Sequence, residues 1–139
     1  MTRCEMCGYD PDAPVAAQWD LFLPLRLPTP NLRVVNQGAT RWRYAKIRDD
    51  CRTALMIEKR RHRVPPASGR RAVLITRYFG GRERLMDKIN WSSACKPLVD
   101  AMVLEKLLLD DSIEMVSDFY RQVRHAQLRG VGVRIQEVG

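Results

Sequence analysis

The chain has 139 residues, 45% of them hydrophobic and 29% charged, with 24 Lys and Arg against 16 Asp and Glu and a formal charge of +8. That length builds one core without disulfide or metal staples, and the composition excludes an unfolded chain. No apolar run approaches the ~20 residues of a membrane helix, and "MTRCEMCGYDPD" lacks the basic-then-apolar layout of a secretory signal, so a cytoplasmic protein without a membrane partner is expected.

Residues 1–16 are aperiodic and read as a flexible leader, leaving 17–139 as one domain. In "QWDLFLPLRLP", Trp19, Leu21, Leu23 and Leu25 alternate as on one face of a strand. "TPNLRVVNQGAT" carries Pro30, Asn31 and Gly38 and reads as a loop. From Thr40, as N-cap, a long helix is predicted through "RWRYAKIRDDCRTALMIEKRRHR". Tyr44, Ile47, Cys51, Ala54, Leu55 and Glu58 make its inner stripe, and Pro65 and Pro66 lie beyond its end. "RRAVLITRYFGG" follows as a β-branched strand closed by Gly80 and Gly81.

Asn90 is expected to cap a second helix, "WSSACKPLVDAMVLEKLL", kinked at Pro97, with Lys96 and Asp100 one turn apart. "IEMVSDFYRQVRHA" then alternates, with Ile113, Met115, Phe119 and Val123 expected inward. A turn over 127–130 leads to "VGVRIQEV", where Val131, Val133 and Ile135 share a face. The order β-α-β-α-β-β predicts a single α+β domain, a mixed sheet packed by two helices.

The positive charge is concentrated. Between Arg33 and Arg71 stand twelve Lys and Arg, among them Arg41, Arg43, Lys46, Arg52, Lys59 and Arg60, against only Asp49, Asp50 and Glu58. Such a block suits a polyanion, because neutralising phosphates releases condensed counterions; it equally suits a solvated helix face. The four cysteines do not form a disulfide framework. Cys51 and Cys95 fall in helical apolar patterns and read as buried thiols. Cys4 and Cys7 have the spacing of half a zinc site, but no second pair follows, so zinc would need two thiolates from another subunit.

No Gly-rich phosphate loop is present, which argues against a nucleotide cofactor. His62 and His125 have no Cys or acid at suggestive spacing. The carboxylates remain. Asp87, Asp110 and Asp111 stand at element ends beside apolar runs, where acids serve as Mg²⁺ ligands and equally as caps and turn residues.

"MDKIN", then Lys96 six residues after Asn90 in "CKPLVDAM", then "LLLDDS", is similar to the signature of RusA-type Holliday-junction resolvases, often encoded by phages and prophages. Upstream, "LRLPTPNLR" and "RWRYAKIRDDCRTAL" resemble the strand exit and basic helix of that family, and the likeness spans about residues 19–138. The resemblance implies a homodimer that binds four-way DNA junctions and nicks two strands symmetrically by Mg²⁺- or Mn²⁺-dependent hydrolysis. Asp87 and Asp111 would be metal ligands, with Asp110 joining them in a site that lacks the family's second Asp, and with Lys96 and Asn90 beside Asp87 and Asp111 in the catalytic group. Arg33, Arg41, Arg43, Lys46, Arg52, Lys59, Arg60, Arg82 and Arg84 would face DNA. One position departs: Ile89 stands where the family pattern has a second Asp, and Ile cannot ligate a metal. A nuclease of reduced rate and a relative that binds branched DNA without efficient cleavage both follow from that departure.

Overall fold

The computed structural model describes residues 17–28, 37–112 and 114–138. It is an α+β domain in the expected order, with the second helical region divided: β1 (Gln18–Leu23), α1 (Gln37–Arg61), β2 (Arg71–Phe79), α2 (Lys88–Ala94), α3 (Lys96–Leu104), β3 (Val116–Arg124) and β4 (Gly130–Glu137). The strands form one sheet in the order β1-β4-β2-β3. β4 pairs antiparallel with both β1 and β2, while β3 lies parallel to β2, so the sheet is mixed. The β2–β3 crossover needs intervening helix, and α2 and α3 supply it.

Alternation puts Val131, Val133 and Ile135 of β4, Val73 and Ile75 of β2, and Leu21 and Leu23 of β1 into one buried cluster. Cys51 and Leu55 of α1 and Leu98, Ala101 and Met102 of α3 cover it. Burial pushes the Cys51 thiol up to about 12 and raises Cys95 as well, so both are packing groups rather than nucleophiles. The inner stripe of α1 ends on Glu58, which is buried and accepts the Phe22 amide at 2.8 Å, tying helix to strand.

Four local expectations are corrected. First, α1 begins at Gln37, ahead of Thr40. Second, the cap of α2 is Asp87, not Asn90: the Asp87 backbone is extended and its carboxylate accepts the Asn90 amide, which puts Asn90 in the first turn. Third, the chain does not merely kink at Pro97. It breaks at Cys95, and Pro97 falls in the first turn of α3, where its missing N–H costs nothing. Fourth, β3 faces the other way. Met115 and Val116 both donate to the Ser112 carbonyl, and this turn delays the strand to Val116. Val116 and Tyr120 therefore pack on the core, while Phe119 is left exposed, because a shift of one residue exchanges the faces. Ile113 lies outside the described residues.

Both long helical segments end in the same six-residue closure. Val64 donates to the Lys59 carbonyl and Arg63 to that of Arg60; Leu107 donates to Met102 and Lys106 to Val103. In each, the residue past the cap is left-handed, Arg63 at φ 53° and Lys106 at φ 62°, where glycine is usual. Leu107 and Leu108 are buried beyond α3, so the chain turns back over the core toward residues 110–112. Among the described residues, no helix is long and apolar enough to cross a membrane.

Candidate functional site

Lys96 is the first residue of α3, and Asp100 lies one turn further on. The Lys96 ammonium donates to Asp100 Oδ1 at 3.1 Å and to Asp111 Oδ2 at 2.8 Å. The return of the chain after Lys106 is what brings Asp111 back to this end of α3. Hydrogen bonds donated to Asp111 and then to Asp100 hold Lys96 well above the ordinary lysine value, and Lys96 in turn holds Asp111 below the usual carboxylate range. Tyr44 of α1 donates its hydroxyl to Asp100. Burial, followed by the Asp100 hydrogen bond and charge, pushes the phenol up to about 12. Four side chains from three segments thus form one connected polar group, with Lys96, Asp111 and part of Asp100 open to solvent.

Asp87 and Asn90 form a separate pair at the start of α2. Asp87 Oδ1 accepts the Asn90 backbone N–H at 2.8 Å and Oδ2 accepts Asn90 Nδ2 at 3.0 Å. Ile89, between them, is 77% exposed. Asp110 accepts the Ser112 amide and so shapes its own turn.

The expected acids therefore serve three different partners. Asp87 stands before α2, whereas Asp111 meets Lys96 just beyond its end; eight residues of helical rise separate positions 87 and 95, or about 12 Å. Mg²⁺ draws its ligand oxygens to ~2.1 Å, which requires them to converge. Among the described residues, no three His, Cys, Asp or Glu side chains gather to hold a metal ion. Asp87, Asp110 and Asp111, as placed, do not form such a group.

The cationic residues divide into two groups. Arg41, Arg43, Lys46 and Arg60 of α1 are exposed, as are Arg82 and Arg84 after β2. Arg52 and Lys59 are drawn to buried Glu105 instead: Arg52 Nη2 lies 3.0 Å from its carboxylate, and Lys59 Nζ donates to its carbonyl at 3.0 Å. Arg71, counted in the basic block, is 1% exposed. It donates to the carbonyls of Leu107 and Pro65 and to Glu137, and so locks β2 to the segments around it. Arg33, Cys4 and Cys7 lie outside the described residues.

Sequence reasoning placed Lys96 and Asp100 together by their spacing but gave no reason to add Tyr44, 56 residues from Asp100. It also offered no signal for Glu105 as the partner of two cations. His125 serves the backbone: its Nδ1 accepts the Gln127 and Leu128 amides at 3.1 and 2.7 Å. No family model matches the chain, and no curated protein matches it.

Proposed function

We propose that this protein is a structure-selective endodeoxyribonuclease of the RusA type, acting on four-way DNA junctions as a homodimer. The observation that carries the reading is the meeting of Lys96 and Asp111. The signature "CKPLVDAM … LLLDDS" names both, and they lie 2.8 Å apart although 15 residues separate them in sequence. The exposed cations of α1 and of residues 82–84 would hold the junction through phosphates, whose negative charge is independent of sequence. Lys96 would then exchange a carboxylate for a non-bridging phosphate oxygen and stabilise the charge that develops on it. Asp100 and Asp111 keep the ammonium charged and aimed, and Tyr44 fixes Asp100. Asn90 orients Asp87. The Mg²⁺ or Mn²⁺ that the resemblance implies would require Asp87, Asp110 and Asp111 to be brought together, within one protomer or across the dimer.

A second reading has its own observation. Ile89 points its side chain largely into solvent at the position of the expected second carboxylate. A chain with this substitution would bind branched DNA and cleave it poorly. One assay separates the readings: nicking of a synthetic four-way junction, with and without Mg²⁺, beside a linear duplex of the same sequence. Nicking confined to the junction supports the nuclease. Binding without nicking, with cleavage gained by Ile89→Asp, supports the weakened relative; neither binding nor nicking overturns both.

A further inference from the structure

A cavity of about 230 Å³ opens at the far end of the sheet, between the segment leaving β1, the end of β2 and the start of β4. Arg26, Arg77 and Arg129 line it with Glu83 and Trp91. Three guanidiniums converge on one carboxylate: Glu83 Oε2 is 2.8 Å from Arg26 and 3.6 Å from Arg77, and Oε1 is 3.4 Å from Arg129. Three positive groups against one negative leave an excess of two charges facing a concave space. The arginines are held there by their own contacts. Arg77 donates to the Arg84 carbonyl and to Gln122, both at 2.9 Å, and stacks on Phe79. Arg129 donates to the His125 carbonyl at 2.8 Å, and Gly80 makes room for its guanidinium, since a Cβ there would come within 2.7 Å of it.

One buried donor at this cavity remains unsatisfied. The Trp91 indole N–H is buried and meets no acceptor among the described residues, a costly state for a group that can only donate. Burial also lowers the Arg77 guanidinium from its ordinary value, and Glu83 only opposes that shift. Glu83 is a single carboxylate shared by the three guanidiniums of Arg26, Arg77 and Arg129. A phosphoryl group carries two charges and presents more acceptor oxygens than the single carboxylate now divided among three forks.

We propose that this cavity is a phosphate-binding site, in which Glu83 is the resident counter-ion that a phosphoryl group displaces. The site is distinct from the Lys96–Asp111 group and does not depend on nuclease activity. The ligand is either a phosphate of a bound DNA strand or a free phosphate or phosphomonoester.

The test is a titration of the full chain with inorganic phosphate, read by the Trp91 indole N–H resonance. A saturable shift is expected, with the apparent Kd about tenfold lower in Glu83→Gln and about tenfold higher in Arg26→Ala. Arg26 is largely exposed and its side chain pairs with Glu83, so that variant leaves the fold intact. An unmoved resonance in both the parent chain and Glu83→Gln overturns the proposal, as does a shift of equal midpoint in all three proteins. Adding a four-way junction to phosphate-saturated protein then identifies the source. Displacement of phosphate assigns the site to a DNA strand, and retention assigns it to free phosphate. Failure of the protein to bind the junction counts against the nuclease reading alone.

Discussion

The Lys96 ammonium and the Asp111 carboxylate meet at 2.8 Å because α3 ends early and the chain doubles back over buried Leu107 and Leu108. The contact joins the first residue of a helix to a turn that precedes an edge strand. It is half open to water, so its effect on folding is small, below about 1 kcal/mol, as for most exposed ion pairs.

A small structural role makes Asp111→Asn an informative variant. The protein is expected to remain folded and to bind a four-way junction as tightly as before or more tightly, since one carboxylate no longer repels phosphate. Nicking should fall by about a hundredfold or more, the usual scale for losing a group that organises transition-state charge. Gel-shift and nicking assays on one preparation check both. Loss of junction binding in Asp111→Asn would make the residue a fold element.

The cations of α1 should separate by variant. Arg43→Ala and Arg60→Ala each remove an exposed charge, so the slope of log K against log salt for junction binding should shrink by about 0.9 for every phosphate left without its cation. Arg52→Ala removes a partner of Glu105, which is only 7% exposed, and should instead cost about 1 kcal/mol of stability. Denaturant unfolding beside a salt titration distinguishes the two. A salt slope that Arg43→Ala and Arg60→Ala leave unchanged would remove α1 as the DNA surface.

These residues mark how far the sequence can be read. Apolar spacing located the core positions Cys51, Leu55, Val131, Val133 and Ile135, because helix and strand periods are local properties of the chain. The face of β3 was not legible: it depends on where the strand starts, and the turn held by the Ser112 carbonyl and the Asp110 carboxylate decides that. Charge count could not tell Arg43, in solvent, from Arg71, enclosed by carbonyls and Glu137. The Lys96–Asp111 pairing was reachable only through the resemblance, and the Tyr44–Asp100 contact not at all, since only tertiary packing joins α1 to α3 there.

The left-handed residue at the end of α3 carries strain that glycine would relieve. Lys106 adopts φ 62° to close the helix, a conformation that costs an L side chain roughly 1–2 kcal/mol, part of which glycine's greater freedom in the unfolded chain offsets. Lys106→Gly should therefore stabilise the protein by about 0.5–1 kcal/mol. Arg63→Gly, in the matching closure of α1, should do the same. A rise in melting temperature for each, with nicking unaltered, is the expected record. A fall would mean that the side chain of Lys106 or Arg63 makes a contact worth more than the strain.

Tyr44 offers a test at alkaline pH. Its phenol is pushed up to about 12, chiefly by burial and then by Asp100, while in the unfolded chain it titrates near 10. A raised folded value means that the contribution is fully present below pH 10 and is lost as pH climbs toward 12, where the folded protein must also give up the proton. Tyr44→Phe removes the hydrogen bond to Asp100 and should cost about 1–2 kcal/mol at pH 7. Between pH 10 and 12 the difference from the parent chain should narrow, because the parent loses what the variant already lacks. Parallel denaturant titrations at pH 7 and pH 11 measure it. A gap that stays constant across that range would show that the Tyr44 phenol is not held above its ordinary value in the folded protein.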